Sequence, residues 1–269
     1  MLQLTGIAYD RNGSFLPGPA LAPPFFRKMD LDGSANRYSE EGFLIDAGNS
    51  FTDQGDLEIN DLEPETAYKA IKAHISSLLQ SRNPLLTLGG DHSISYPVIE
   101  AHAAVYGPLH VLHLDAHTDL YENFEGNPYS HASPFARLLE KNLLASLTQV
   151  GIRTLTPHHQ DQIGRYGVEV TEMRQYSENW ISGLQGPLYI SLDLDVMDPA
   201  YAPGVSHHEP GGLSVRQLLQ ALQQVRVPVI GADIVEYNPT RDHQLQTAMV
   251  GYKCMKELMA LMIRNKKSG

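Results

Sequence analysis

Cysteine is almost missing from this 269-residue chain. The single Cys254 rules out an intramolecular disulfide and any cysteine-rich zinc site. Its place in a C-terminal helical pattern marks it as a packed thiol rather than a nucleophile. No run approaches the ~20 apolar residues that a membrane-crossing helix needs, so no membrane partner is expected. A basic excess is missing too. The formal net charge is −11, the opposite of the footprint left by nucleic-acid binding, and it favours attraction of small cations. The first ten residues hold neither a basic stretch nor a long apolar run, so no signal peptide is expected and the expected compartment is the cytoplasm. Internal repeats and low-complexity segments are likewise absent.

A composition of 42% hydrophobic and 19% charged residues is enough to bury a real core. Met1 to Tyr9 reads as a first strand. Residues 10–64, rich in Gly, Pro, Asp and Asn, read as loops with short elements. Thr66 to Gln80 has helical spacing, with Ile71, Ile75, Leu78 and Leu79 on one side. Short apolar runs then recur at Leu85–Leu88, Leu109–Leu114, Leu147–Ile152, Leu188–Leu192 and Val227–Ala232. Helical patterns lie between them near 94–105, 133–145, 158–165 and 214–224, and a last helix is expected from Gln244 to Arg264. Apolar strands alternating with helices predict an α/β fold, a parallel sheet with helices on both faces. No linker interrupts the pattern, so one domain over residues 1–269 is expected.

The polar residues fall at telling places. Leu85–Leu88 ends in Gly89-Gly90-Asp91-His92-Ser93, and Leu109–Leu114 in Asp115-Ala116-His117-Thr118-Asp119. Leu188–Leu192 ends in Asp193-Leu194-Asp195, and Val227–Ala232 is followed by Asp233-Ile234-Val235-Glu236. The carboxyl ends of parallel strands form the binding crevice of open α/β sheets, so four strands deliver acids and imidazoles to one rim. Each string alone could be a turn with a capping Asp; together they form a cluster of carboxylates that must protonate or take up cations. His92, Asp115, His117, Asp119, Asp193 and Asp195 supply only oxygen and imidazole nitrogen, a set that favours Mn²⁺ over structural zinc. Six side chains exceed the needs of one catalytic ion, and two ions are the natural reading, with the spacing of roughly 3.5–4 Å usual for two-metal hydrolases.

At these residues the chain resembles the ureohydrolases, the arginases and agmatinases. All three metal signatures occur in the family's order, and Phe124–Ser133, Pro203–Ser214 and Gly231–Pro239 resemble the plant-type arginases and their bacterial agmatinase-like relatives. The resemblance implies a three-layer α/β/α sandwich with a mainly parallel central sheet, two Mn²⁺ per subunit, a small cationic guanidino substrate and a homo-oligomer, a trimer or hexamer. It implies one ion held by His92, Asp115, Asp119 and Asp193 and the other by Asp115, His117, Asp193 and Asp195, with Asp115 and Asp193 bridging. Catalytic roles are implied for Asp119, His131 and Glu236. Glu236 orients the guanidinium, since a carboxylate can accept two parallel N–H bonds from it. His131 shuttles protons, and Asn127 and Ser130 contact the substrate.

The remaining histidines take plainer readings. His113 is expected as a satisfied core residue, His74, His102 and His110 as peripheral, and His158, His159 and His243 as surface; His207 or His208 could line the pocket mouth. Between substrates, Gly151–His158 lacks the acid that holds the α-amino group in many arginases, so agmatine is expected ahead of arginine. Guanidinobutyrate, guanidine and formimidoylglutamate rank lower. A non-catalytic metal-binding member is the alternative class, opposed by the intact ligand set.

Overall fold

Strands and helices alternate as the apolar runs predict in the computed structural model, which describes residues 1–266. The strands are β1 (Leu2–Ala8), β2 (Phe51–Glu58), β3 (Leu85–Leu88), β4 (Leu109–Leu114), β5 (Leu144–Ile152), β6 (Glu169–Glu172), β7 (Leu188–Asp193) and β8 (Val229–Val235). The helices are α1 (Ala22–Leu31), α2 (Pro64–Leu78), α3 (Ser95–Tyr106), α4 (Pro134–Glu140), α5 (Pro157–Tyr166), α6 (Val215–Gln224) and α7 (Gln246–Lys266). The strands form one sheet in the order β2-β1-β3-β8-β7-β4-β5-β6, and each pairing is parallel. The sheet is thus wholly rather than mainly parallel among the described residues.

Both faces of the sheet are covered, which is why its central strands read as unbroken apolar runs rather than alternating ones. On one face Phe26 and Met29 of α1, Leu218 and Leu222 of α6, and Tyr252 and Leu258 of α7 pack on Leu86, Leu112 and Ile190. On the other, Ile71 and Ile75 of α2, Val98 and Ile99 of α3 and Phe135 of α4 pack on Leu85, Val111 and Tyr189. Helix starts follow local chemistry. Ser214 and Gln217 form a reciprocal capping box at α6, and prolines stand in the first turn of α1, α2, α4 and α5, where a missing N–H costs nothing.

Strand order decides where the site lies. The chain leaves β3 and returns three places away at β4, and β7 and β8 later fill the gap between them. Four neighbouring strands, β3-β8-β7-β4, are therefore the four that carry the motifs. Their ends are in register: Leu88 pairs with Ile234, Ile234 with Leu192, and Leu192 with Leu114. The residues just past this row converge on one rim.

The structure departs from the sequence expectations at several elements. No sequence signal marks the edge strands β2 and β6: β2 is mostly exposed and polar and β6 has no buried residue, so neither carries an apolar run. The helix expected over 133–145 stops at Glu140, because Asn142 turns the chain with φ 55° and Leu144 already belongs to β5. β8 runs on to Val235, which places Asp233 inside a strand.

His102, expected at the periphery, is fully buried. It fits only because residue 231 is glycine; a Cβ there would stand 2.5 Å from its Nε2. Its Nδ1 donates to the Val98 carbonyl at 2.8 Å while Nε2 has no partner. Burial pushes its pKa down to about 4, against a weaker upward pull from that carbonyl. The unfolded chain, with an ordinary histidine near 6.5, therefore takes up the proton first, and stability present above that value is lost as pH falls toward 4. We expect on the order of 3 kcal/mol to be lost over this window. Urea unfolding midpoints at pH 7.5 and 5, compared with His102→Gln, check this; equal pH sensitivity in both proteins contradicts it.

Candidate metal centre

At the end of β3, Gly90 lies so close to β1 that a Cβ would stand 1.7 Å from the Tyr9 carbonyl oxygen, so only glycine allows the approach. Asp91 then caps the short helical turn His92–Ile94: its carboxylate accepts from the Ser93 N–H and the Asn12 N–H, both at 3.0 Å. The capping reading of this motif thus holds for Asp91, while His92 is delivered to the rim. Its Nε2 lies 2.9 Å from Ser191 Oγ. Ser191 donates to Asp233 Oδ1 at 2.6 Å, and Ser95 and Tyr189 donate to Asp233 Oδ2 at 2.8 and 2.9 Å. This chain places the His92 proton on Nε2 and leaves the Nδ1 lone pair facing inward.

That lone pair meets only acids. Nδ1 stands 3.0 Å from Asp115 Oδ2, 3.0 Å from Asp119 Oδ2 and 3.3 Å from Asp193 Oδ2, and it makes no directional hydrogen bond. Four buried acceptors around one point have no mutual attraction; a proton on Nδ1, or a metal ion in its place, supplies it. His117 Nδ1 lies 3.0 Å from Asp195 Oδ2 and 3.3 Å from Asp115 Oδ1. Donor atoms of His92, His113, Asp115 and Asp119 fall within 4.8 Å of one another, as do those of Asp115, His117 and Asp195. Asp115 belongs to both groups. Asp193, beside His92, is held by the Asp195 N–H at 2.7 Å. The structure thus brings together all six residues expected as ligands, and the donors fit two hard or borderline divalent ions.

His113 is buried and satisfied, yet it touches the cluster. Gln149 donates to its Nδ1 at 2.9 Å, so the Nε2–H donates to Asp115 Oδ2 at 2.7 Å. We read it as a positioning residue for the shared carboxylate. Burial raises the Asp193 and Asp195 pKa values, and neighbouring carboxylates raise them further. Burial alone would lower His92 and His117, but the surrounding acids hold both well above the usual histidine value. Protons fill the role of cations here, and metal binding must displace them.

A cavity of about 250 Å³ opens over the cluster, lined by His92, His117, Asp119, Asp193, Asp195 and Glu236, with Ser14, Phe124, His131, Thr154, Thr156, His159, His207 and Glu209 among its walls. Asp119 and Glu236 adopt left-handed φ values of 51° and 64°, uncommon for side-chain-bearing residues and concentrated at functional sites. Glu236 Oε1 accepts from the His92 N–H at 2.9 Å and lies 2.9 Å from His131 Nδ1. Burial would lower the His131 pKa, but Glu236 lifts it to about 9. The other ring nitrogen of His131 lies 2.8 Å from Ser14 Oγ and 3.1 Å from the Ser14 backbone nitrogen. No motif pointed to Ser14, which sits in the loop-rich segment.

Two expectations change here, and a third narrows to one residue. Asn127 and Ser130 do not line the cavity. Asn127 donates to Asn12 Oδ1 at 3.0 Å and accepts the Tyr129 N–H at 2.9 Å, and Ser130 Oγ accepts the Ala132 N–H at 3.2 Å, so both brace the loop that carries His131. His159, expected on the surface, is buried, completes the capping box of α5 and reaches the cavity wall. Of the neighbouring pair, His207 lines the cavity, while His208 bonds the Pro203 carbonyl at 2.7 Å.

A wholly parallel α/β/α sheet with histidine–aspartate donors on its carboxyl rim defines a metal-binding hydrolase of the ureohydrolase class. The chain belongs to the arginase family, whose model matches residues 2–261. It is 44% identical to Arginase 1, mitochondrial, of Arabidopsis thaliana, over 96% of this chain and 80% of that protein. It is 30% identical to the agmatinase of Bacillus subtilis, over 95% of this chain and 90% of that protein. The solved arginase from Medicago truncatula superposes with a TM-score of 0.92 at 40% identity, covering 97% of this chain and 87% of that one. No helix among the described residues is long and apolar enough to cross a membrane.

Because bound ions displace protons from raised carboxylates and imidazoles, Mn²⁺ affinity is expected to fall steeply between pH 8 and pH 6, with protons released on binding. Calorimetry in buffers of different ionisation enthalpy measures both. His113→Phe is expected to weaken binding roughly 10- to 100-fold; a pH-independent affinity contradicts the protonated-cluster account.

Proposed function

We propose that this chain hydrolyses the guanidino C–N bond of arginine to give ornithine and urea. The observation that carries the reaction class is the buried Glu236 carboxylate on the same cavity as the two-ion donor cluster, 2.9 Å from His131. The expected lean toward agmatine gives way to arginine because identity to the plant arginase is 44% against 30% to the agmatinase. Agmatine is the second reading, favoured by the absence of an acid in Gly151–His158.

His92, Asp115, His117, Asp119, Asp193 and Asp195 would hold two divalent ions, and an all-oxygen and imidazole set suits Mn²⁺. Bound there, the ions supply a water whose pKa falls to about 7, a nucleophile strong enough for a guanidinium carbon. The chain's own groups do the rest. Glu236 accepts paired N–H bonds from the planar guanidinium and sets its carbon over the cluster. To do so it exchanges part of its contact with His131, whose proton is then available for the departing nitrogen. Asp119, 3.0 Å from His92 Nδ1, accepts the proton of the attacking water and passes it toward that nitrogen.

Urea release with Mn²⁺ is expected on arginine at a higher kcat/KM than on agmatine, and no release without metal; a reversed order selects the second reading. Asp193→Ala is expected to abolish turnover and metal content together. Glu236→Gln is expected to keep the metals, measured by elemental analysis, while losing at least about 100-fold in kcat/KM. Wild-type rates in that variant contradict its role, and urea from no guanidino compound contradicts the reaction class.

A further inference from the structure

The cavity carries more negative charge than the metal centre explains. Two divalent ions would balance the four aspartates Asp115, Asp119, Asp193 and Asp195. Two carboxylates remain on the walls, Glu236 and Glu209, and the lining contains no lysine or arginine. Glu236 has its partner in His131. Glu209 is half-buried, and its carboxylate has no hydrogen bond or ion pair among the described residues.

Its backbone is nevertheless firmly held. Arg153 Nε and Nη2 donate to the Glu209 carbonyl at 2.9 and 2.5 Å, and Nη2 also reaches the Asp195 carbonyl at 2.7 Å. The guanidinium is engaged by main-chain carbonyls and does not neutralise the Glu209 side chain. On the following turn, Asp198 accepts the Gly211 N–H at 2.7 Å, which fixes the loop from the other end. An ionisable group on a braced loop, beside a cavity and without a countercharge, is arranged for a cation that arrives from outside.

We propose that Glu209 is the ammonium subsite, binding the amino group at the end of the substrate remote from the guanidinium. The proposal rests on the guanidino-hydrolase reading and deepens it. Glu236 takes one positive charge and Glu209 the other, so the site selects a molecule whose guanidinium and ammonium groups are joined by a short alkyl chain. This supplies, from the loop after β7, the acid that is absent from Gly151–His158 after β5. Both arginine and agmatine carry an ammonium at that end that Glu209 can take; in arginine a carboxylate stands beside it.

The test pairs agmatine with butylguanidine, which has the same guanidinium and alkyl chain but no amine. The Mn²⁺-loaded wild type is expected to prefer agmatine in kcat/KM, and Glu209→Gln to reduce that preference roughly ten-fold, mostly through KM, as loss of a charge-assisted contact predicts. Glu209→Asp, which retains the charge, is expected to keep part of the preference. A wild type without preference, or a variant that loses equally on both compounds, overturns the subsite. Should the wild type cleave no guanidine, the reaction class fails on its own, and calorimetric binding of 1,4-diaminobutane decides the subsite. Weaker binding by Glu209→Gln than by wild type sustains it, and equal or absent binding to both overturns it.

Discussion

Four aspartates on one sheet rim, each with a histidine nitrogen as near neighbour, form the constraint on which this molecule is organised. Buried like charges repel, and burial makes each charge costlier still. In the chain by itself the histidines soften the repulsion by holding protons. Divalent ions soften it far better, because one ion answers several carboxylates at once. The carboxylates that two ions would leave over on the cavity wall, Glu236 and Glu209, suit the cationic substrate proposed above.

The fold meets that constraint through sheet order and register. Inserting β7 and β8 between β3 and β4 puts the four motif strands side by side, and the aligned row Leu88, Ile234, Leu192 and Leu114 sets where each strand ends. Support from behind is polar and buried. The Asp233–Ser191–His92 chain fixes the His92 ring with Nδ1 facing inward, and the Gln149–His113 chain aims the His113 Nε2–H at Asp115. Left-handed backbone at Asp119 and Glu236 turns these two side chains toward the cavity wall, a strained arrangement that the packed rim sustains.

Much of this was legible in the sequence because the signals are local. Apolar runs that end in acid-rich strings need only the chain order to be read, and all six donors were named that way. Edge strands β2 and β6 were not legible, since exposed polar strands lack the apolar pattern. His113 was read as satisfied core, which is true, but its partner could not be known before β4 was set beside β5. The resemblance implies substrate contacts for Asn127 and Ser130, yet the loop bends their side chains back on Asn12, Tyr129 and Ala132. Ser14 and Glu209 become visible only in three dimensions, where segments distant in the chain share one wall.

The central claim is a two-ion cluster on shared carboxylates, and anomalous diffraction from crystals of the Mn²⁺-loaded protein tests it most directly. The account predicts two manganese peaks per chain, roughly 3.5–4 Å apart, with Asp115 and Asp193 touching both. A single peak, or two that share neither carboxylate, would contradict it.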